Sequence, residues 1–283
     1  MTTTTVCVSV DFDATAVWMS YGAFDEWRMS RGEFGVRVGA KRLLDLFAQL
    51  DILSTWYIPG HTAETNPAVS AEVARLGHEI GNHGYAHEGT AMPLDQATHI
   101  IEKTNDALER VTGQRPRGAR LTWDFLGDVF EVMVEQGMTY SSNLMNDYRA
   151  HWAHGLGEIN VDRASVKGPI LDLVEVPFTF ITSDFAYFEF AGYGVGPHLP
   201  AGLRNPRDVE VIWKDEFDYL REHGHSDGFM MMTLHPESIG WGSRIMMLER
   251  FLHYCRDNDA RFVTAETIAG EFRAREGKSA AVA

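Results

Sequence analysis

The feature of this sequence that most limits its fold is the alternation of short apolar runs with amphipathic helical patterns. The runs typical of buried strands are Val6–Val10, Leu53–Ile58, His78–Asn82, Leu171–Ile181, Phe229–Leu234 and Arg261–Val263. Patterns typical of helices lie between these runs, at residues 38–50, 93–112, 125–136, 207–222 and 245–256. This alternation is typical of parallel strands covered by helices. About seven such units in one chain predict an α/β fold in which the sheet closes into a barrel.

The length of 283 residues fits one large barrel as well as two domains. No internal repeat or low-complexity linker divides the chain, so we expect a single domain over residues 1–276 and a frayed tail at residues 277–283. Two long stretches without periodicity, Ala14–Val36 and Tyr148–Pro169, contain several aromatic residues. Long loops in compact domains are commonly functional, so we expect these two to form ordered walls of a site.

The charge balance excludes several classes of partner. The chain has 25 Lys and Arg against 40 Asp and Glu, a net charge of −15, and it has no run of basic residues. Such a surface repels phosphate backbones and anionic lipids, so we expect neither nucleic-acid nor membrane binding. Two cysteines are too few for a disulfide framework or a cysteine zinc cluster. The start, Met1–Thr5, lacks the basic and apolar regions of an export signal, which predicts a cytoplasmic protein.

Chemically reactive side chains follow three of the predicted strands. Asp11 and Asp13 end the first strand on the same side, and His83 and His87 follow the strand at His78–Asn82. His235 ends the strand at Phe229–Leu234 and precedes a proline. The carboxyl ends of barrel strands meet at one face, where the active sites of such barrels lie. We therefore expect these five side chains to converge.

Each of these features alone has a simpler explanation. The two aspartates could be a solvated strand end, and 12 histidines in 283 residues give an i,i+4 pair by chance about half the time. His235 could bond a loop carbonyl. Together, however, Asp13, His83 and His87 form a set of two imidazoles and one carboxylate, which suits Zn²⁺, Co²⁺, Ni²⁺, Mn²⁺ or Fe²⁺. Asp11 and His235 then remain as a base and an acid for hydrolysis.

These motifs resemble those of the polysaccharide deacetylase superfamily over most of the chain, from Val6 to Phe272. The matching motifs are the aspartate pair Asp11 and Asp13, the His-x-x-x-His of His83 and His87, and the Leu-His-Pro of Leu234, His235 and Pro236. The resemblance implies a distorted (β/α)7 barrel, one bound divalent metal, normally zinc, and hydrolysis of a non-peptide C–N bond. Asp11 would be the base, His235 the acid, and Asp13, His83 and His87 the metal ligands.

The segments Trp56–His61 and Tyr140–Asp147 resemble, more narrowly, a bacterial branch without signal peptides. That branch contains cyclic imide hydrolases, allantoinase-like proteins and a peptidoglycan deacetylase, and its members tend to form homo-oligomers, often tetramers. A homo-oligomer is therefore expected.

Two positions depart from the pattern of the superfamily. Its Arg-x-Pro motif, in which the arginine orients the base, is matched by Arg120 but has Thr122 in place of proline. Ser141 stands where this branch usually has the aspartate that tunes the catalytic histidine. The partner of His235 is therefore left open.

The expected substrate is a small amide or cyclic imide, because aromatic loops at the barrel mouth would form a closed apolar pocket. The residues predicted to contact it are Trp18, Tyr21, His61, Tyr85, Trp123, Tyr148, Trp152 and Leu234. Backbone N–H groups near Tyr85 or Ala86 are expected to stabilise the oxyanion. The main alternative is N-deacetylation of a sugar or peptidoglycan fragment, with the aromatic residues packing the rim or a subunit interface. An inactive scaffold and an iron oxygenase are less compatible with the acid, base and motif order.

Overall fold

The computed structural model describes residues 3–160, 162, 164–189 and 204–277. Apart from Gly277, the tail predicted at residues 277–283 lies outside this part of the chain. Within the described residues, no helix is both long and apolar enough to cross a membrane.

The strands follow the predicted alternation with helices except over residues 140–175, where five strands succeed one another without a helix among the described residues. They are β1 (Thr5–Asp11), β2 (Thr55–Ile58), β3 (Glu79–Asn82), β4 (Gly118–Ala119), β5 (Tyr140–Ser141), β6 (His151–His154), β7 (Glu158–Asn160), β8 (Ala164–Val166), β9 (Ile170–Glu175), β10 (Phe229–Leu234) and β11 (Arg261–Val263). Their order in the main sheet is β10-β1-β2-β3-β4-β5-β9-β6, and β11 also pairs with β1. All of these pairs are parallel except β6 with β9.

Helices cover the outside of this curled sheet. They are α1 (Ala16–Ser20), α2 (Glu26–Phe34), α3 (Ala40–Leu50), α4 (Gly60–Thr65), α5 (Pro67–Arg75), α6 (Leu94–Thr112), α7 (Asp128–Glu135), α8 (Phe185–Phe188), α9 (Pro206–His223), α10 (Pro236–Ile239), α11 (Gly242–Asp257) and α12 (Ala265–Glu276). The predicted α/β barrel fold is thereby confirmed, in the form of a half-barrel that is incompletely closed beside β6.

The strand β1 shows how the sequence separates the core from the interior of the barrel. Val6, Val8 and Val10 point outward into the main hydrophobic core beneath the helices. The alternate residues point inward, and Ser9 there donates to the carbonyl of Met232 on β10 at 2.5 Å. Because side chains alternate along a strand, the same inward row reaches Asp11 at the carboxyl end. The alternation thus delivers a carboxylate to the mouth of the barrel.

A buried network of hydrogen bonds around Glu79 lies at the opposite end of the barrel, where the strands begin. Tyr140 donates to the Glu79 carboxylate at 2.5 Å, and the backbone N–H of Glu266, in the first turn of α12, donates to the same carboxylate at 3.1 Å. Thr55 also donates to Glu79, at 2.7 Å. Burial raises the pKa of Glu79. This network joins α12 to the interior of the barrel.

The loop predictions need correction. The stretch Ala14–Val36 is mostly helical, since it contains α1, α2 and the start of a π-helical turn at Gly35–Gly39. The second stretch, Tyr148–Pro169, contains β6 and the hairpin of β7 with β8. The strand predicted at Leu171–Ile181 ends at Glu175, because Pro177 cannot donate to a ladder. The short strands β4 and β5 have no apolar run that would predict them.

Candidate active site

Six polar side chains from four parallel strands meet at the mouth of the barrel. Asp11 ends β1 and Asp13 follows it, His83 and His87 follow β3, Arg120 follows β4, and His235 follows β10. All six line one cavity of about 210 Å³. The structure thus brings together the residues that the sequence singled out at the strand ends.

Asp13, His83 and His87 form a group that could hold one metal ion. Their ligand atoms all lie within 4.8 Å of one another. The Nε2 atoms of His83 and His87 lie 3.2 and 3.5 Å from the two oxygens of Asp13. Such separations suit donors around one small cation, since Zn–N and Zn–O bonds are about 2 Å long.

The surroundings of Asp13 support this interpretation independently. Asp13 is fully buried, and neither carboxylate oxygen has a hydrogen-bond partner among the described residues. A buried carboxylate without partners is costly unless a cation compensates it. Burial alone would raise the pKa of Asp13, but His87 and His83 hold it well below its usual range. The donor set therefore fits a divalent metal.

The two histidines are oriented for this purpose. The Nδ1 of His83 bonds the carbonyl of Arg120, which leaves Nε2 directed at Asp13. Metal-binding histidines commonly bond a carbonyl through the second nitrogen in this way. Burial lowers the pKa of His87, which favours the neutral imidazole that a metal requires. The pKa of His83 is raised, since Asp11 and Asp13 outweigh the effect of burial there, so protons compete with a metal at this residue.

Asp11 is held by Arg120 on one side and open on the other. Nη1 of Arg120 donates to Oδ1 of Asp11 at 2.7 Å, and both side chains are buried. Oδ2 of Asp11 lies 3.8 Å from Nε2 of both His83 and His235. Arg120 also donates to Ser9 and to Ser142, at 2.9 Å in each case. The second oxygen of Asp11 is therefore positioned to accept a proton.

The partner of His235 is Asp184, which the sequence analysis missed. Nδ1 of His235 lies 2.7 Å from Oδ1 of Asp184, and the backbone N–H of His235 donates to Oδ2 at 3.0 Å. Burial alone would lower the pKa of His235, but the Asp184 carboxylate raises it to about 10. Ser141, at the usual aspartate position, instead donates to Asn143 at 3.0 Å. The only signal for Asp184 is its place in the connection after a predicted strand.

One wall of the cavity is aromatic and comes from the connection between β9 and α9. Phe178, Phe180 and Phe185 line the cavity, and the ring of Phe185 lies 4.9 Å from that of His235. Val17 and Tyr21, from the stretch Ala14–Val36, also line the cavity. The three phenylalanines were not predicted as site residues, because Phe178 and Phe180 fall in the predicted strand Leu171–Ile181, whereas the real strand ends at Glu175.

Most of the predicted substrate contacts are corrected by the structure. Tyr21 lines the cavity, whereas Trp18, Trp123 and Leu234 are buried in hydrophobic cores. The remaining four predicted contacts, all described by the structure, do not line this cavity: His61, Tyr85, Tyr148 and Trp152.

Tyr148 and Trp152 lie away from the site. Tyr148 donates to Glu216 at 2.7 Å and lines a separate cavity. Trp152 packs edge-on against Phe272 of α12. The stretch Tyr148–Pro169 therefore contributes neither of its predicted aromatic contacts to the site.

The oxyanion donors that the sequence suggested are also corrected. The backbone N–H groups of Tyr85 and Ala86 donate to the two carboxylate oxygens of Glu88, at 3.0 and 2.9 Å. They are therefore already engaged by the protein. Tyr85 and His61 lie on the side of this loop next to α4, where the N–H of His61 donates to the carbonyl of Tyr85 at 2.8 Å.

The chain is similar to known proteins over nearly all of its length. Residues 24–140 match the family model described as polysaccharide deacetylase. A Helicobacter pylori protein named peptidoglycan deacetylase is 31% identical, over 95% of this chain and 96% of its own length. The crystal structure of a Mycobacterium smegmatis protein assigned to the polysaccharide deacetylases has a TM-score of 0.83 at 27% identity and covers 97% of this chain and 92% of the other.

The structure of an allantoinase shares the fold as well. It has a TM-score of 0.79 at 21% identity, with 98% of this chain and 93% of the other covered. At that identity the similarity extends to the architecture alone.

Proposed function

The chain belongs to the polysaccharide deacetylase family, hydrolases that act on the C–N bonds of sugar acetyl groups, and on that premise we propose that it is a metal-dependent sugar N-deacetylase. The proposed substrate is an N-acetylated sugar of a peptidoglycan fragment, and the products are acetate and a free amine. The relative named peptidoglycan deacetylase supports this choice over the small cyclic amide that the sequence alone favoured.

The observation that carries the proposal is that one proton acceptor and one proton donor face each other across a single cavity. Asp11, fixed by Arg120, faces His235, fixed by Asp184, with 3.8 Å between Oδ2 and Nε2. Amide hydrolysis needs a base for the attacking water and an acid for the leaving nitrogen. The two pairs supply these two functions next to the proposed metal ligands.

The mechanism follows from these positions. Asp13, His83 and His87 would hold a divalent ion, proposed to be Zn²⁺, which when bound lowers the pKa of water and polarises a carbonyl oxygen. Oδ2 of Asp11 takes a proton from the attacking water while Arg120 keeps the carboxylate oriented. Oxygen adds to the acetyl carbon, and the C–N bond breaks as Nε2 of His235 gives its proton to the nitrogen.

The size of the cavity bears on which part of the substrate enters. Its 210 Å³ is below the roughly 300–1,000 Å³ of pockets that enclose whole drug-sized ligands. We propose that the acetamido group and part of one sugar ring enter, with a sugar face against the phenylalanine wall. The rest of a glycan would lie outside the mouth.

Assays of product release from a panel of substrates test this proposal. The protein loaded with zinc is incubated with an N-acetylglucosamine oligomer, succinimide, allantoin and a linear amide, each with and without chelator. We expect chelator-sensitive release of acetate from the oligomer. Hydrolysis of succinimide or allantoin without any acetate release would contradict the proposal.

A small cyclic amide remains the second candidate, because the cavity is narrow and three phenylalanines line it. The same assay distinguishes the two candidates. Assembly into a homo-oligomer stays a prediction.

The assignment of Asp11 as the base makes a separate prediction. Asp11→Asn should lower turnover on the order of 10²- to 10⁴-fold, the usual contribution of general acid–base catalysis, while zinc content stays near one ion per chain. Metal analysis and turnover measured on the same sample check both parts. Turnover near the wild-type value would overturn the assignment.

A further inference from the structure

The loop His83–Glu88 carries both histidine ligands. Its last residue, Glu88, bonds the backbone of the same loop. Its backbone N–H groups at Tyr85 and Ala86 both donate to the carboxylate of Glu88, to Oε2 at 3.0 Å and to Oε1 at 2.9 Å. Hydrogen bonds to an ionised acceptor are roughly twice as strong as neutral ones. This arrangement resembles the cap of a helix start, although no helix begins here.

The conformation of the loop explains why it needs such support. Gly84 has φ +71° and His87 has φ +57°, and His87 is one of few residues other than glycine in the left-handed region. A non-glycine residue in that region is strained and persists only where surrounding contacts fix it. At Gly84 an added Cβ would lie 2.6 Å from Oε2 of Glu88, so the carboxylate is packed directly against the turn.

Glu88 also connects the loop His83–Glu88 to the neighbouring loop, which carries Arg120. The hydroxyl of Thr122 donates to the backbone carbonyl of Glu88 at 2.8 Å. The N–H of Arg120 donates to the carbonyl of Asn82 at 2.9 Å, and Nδ1 of His83 bonds the carbonyl of Arg120. Two bonds therefore join the two loops, and a third joins Arg120 to the end of β3. The Thr122 bond needs a hydroxyl, which a proline at that position would lack.

We propose that Glu88 and Thr122 are positioning residues of the metal site. Glu88 fixes the turn that directs His83 and His87 at Asp13, and Thr122 fixes Glu88 to the loop of Arg120. Thr122, the departure from the family motif, thereby acquires a function. The inference rests on the proposed metal site but not on the identity of the substrate.

The test measures zinc affinity by competition with a chromophoric chelator, together with the melting temperature of the metal-free protein. Glu88→Ala should weaken zinc binding about 10- to 100-fold, the range for partners of metal ligands, and Thr122→Val should weaken it less. Glu64→Ala is the matched control, because Glu64 contacts the same loop only through the hydroxyl of Tyr85, at 2.7 Å. We expect Glu64→Ala to bind zinc like the wild type.

Two further readouts separate positioning from general stability. Glu88→Gln retains one acceptor oxygen, so its zinc affinity should fall between those of the wild type and Glu88→Ala. The absorption bands of the Co²⁺-loaded protein should shift in Glu88→Ala, since they report ligand geometry, and stay unchanged in Glu64→Ala.

Zinc affinities within about threefold of the wild type in both Glu88→Ala and Thr122→Val would overturn the proposal. An equal loss in Glu64→Ala would also overturn it. If Glu88→Ala does not fold, Glu88→Gln and Thr122→Val decide the question by the same criterion. Because no substrate is involved, failure here is distinct from failure of the proposed deacetylase activity.

Discussion

Among single residues, Asp184 has the clearest electrostatic effect in the site. It accepts two hydrogen bonds from His235, at 2.7 and 3.0 Å, and is fully buried. In that environment its charge is little screened, and it keeps the imidazole protonated. The orientation of the proposed acid therefore depends on Asp184, and its charge depends mainly on the same carboxylate, with smaller contributions from Asp11 and Asp13.

Asp184→Asn should remove that charge while keeping the side-chain shape. The pKa of His235, raised to about 10 in the wild type, should fall. An acid must be protonated to act, so the alkaline limb of the pH–kcat profile should move to lower pH, and kcat should drop on the order of 10²-fold. The pH dependence of acetate release checks both effects.

Asp147→Asn is a suitable control for this variant, because Asp147 pairs with Arg149 at 3.4 Å and does not line the active-site cavity. It should leave the profile unchanged. An alkaline limb that stays in place in Asp184→Asn would exclude Asp184 as the residue that tunes His235.

The residue scale also shows where sequence prediction stops. Asp11, Asp13 and His235 could be located because a strand end fixes both the position and the direction of a side chain. Asp184 and the phenylalanine wall come from a connection whose path is set by packing rather than by periodicity. Trp18 failed as a substrate contact because it packs beneath the guanidinium of Arg31, 4.8 Å from the ring centre.

Between elements, the π-helical turn Gly35–Gly39 packs closely against α10 near the site. A Cβ added at Gly39 would lie 2.0 Å from the carbonyl oxygen of Pro236, which directly follows His235. The π-helical turn and α10 can pack this closely only because residue 39 lacks a side chain.

Gly39→Ala should therefore destabilise the protein by about 1–3 kcal/mol, the usual cost of overpacking, and lower activity by displacing His235. Gly270→Ala, in α12, is the matched control, because nothing lies within 4 Å of its added Cβ. In a helix interior that change should stabilise by about 0.5–1 kcal/mol. Urea unfolding of both variants checks the prediction, and equal stabilities would contradict it.

His78 joins the segment before β2 to the start of β3. It accepts a hydrogen bond from the N–H of Ser54 at 3.1 Å, and burial lowers its pKa to about 4. The folded protein thus binds this proton less readily than the unfolded chain, whose pKa is about 6.5. The stability that follows is complete above pH 6.5 and is lost as the pH falls toward 4.

His78→Asn should remove this pH dependence. The difference in unfolding free energy between the wild type and the variant should shrink by up to about 3 kcal/mol between pH 7.5 and pH 4. Urea unfolding at both pH values checks this. A difference that does not change with pH would show that His78 does not titrate as expected.

Element existence was predictable where periodicity is strong, as in β1 and α6. It was not predictable for β4 and β5, which have two residues each and are defined only by their neighbours. The helices α1 and α2 were missed because residues 14–36 show no clear apolar face. In the structure α1 packs against α2, and α2 packs against α10.

For the molecule as a whole, the proposed metal should contribute to stability. A ligand that binds only the folded state adds RT ln(1 + [L]/Kd), about 2.7 kcal/mol at 100 times Kd. The buried Asp13, without hydrogen-bond partners among the described residues, favours such a gain.

The melting temperature should rise with zinc concentration in the wild type and not in His87→Ala. His99→Ala is the control, because this histidine is exposed on α6 and should leave the zinc response intact. Differential scanning calorimetry over a range of zinc concentrations checks the prediction. An increase in His87→Ala equal to that of the wild type would place the bound zinc elsewhere.

The overall architecture was predictable because alternating strands and helices leave few ways to bury their apolar faces. The substrate was less predictable, because it depends on which aromatic residues face the cavity. That property is set by distant contacts, such as the packing of Trp152 on Phe272.

The pairing of β1 with β10 also bears on how the protein is made. Asp13, His83 and His87 all precede residue 90, yet Ser9 on β1 bonds Met232, 223 residues later. Contacts so distant in sequence form slowly, and incomplete chains expose apolar surface. A nascent chain that ends before Phe229 carries every proposed ligand but lacks β10, one of the three strands that pair with β1. Ribosomal synthesis must therefore continue past Leu234 before β10 can pair with β1 beside the proposed metal ligands.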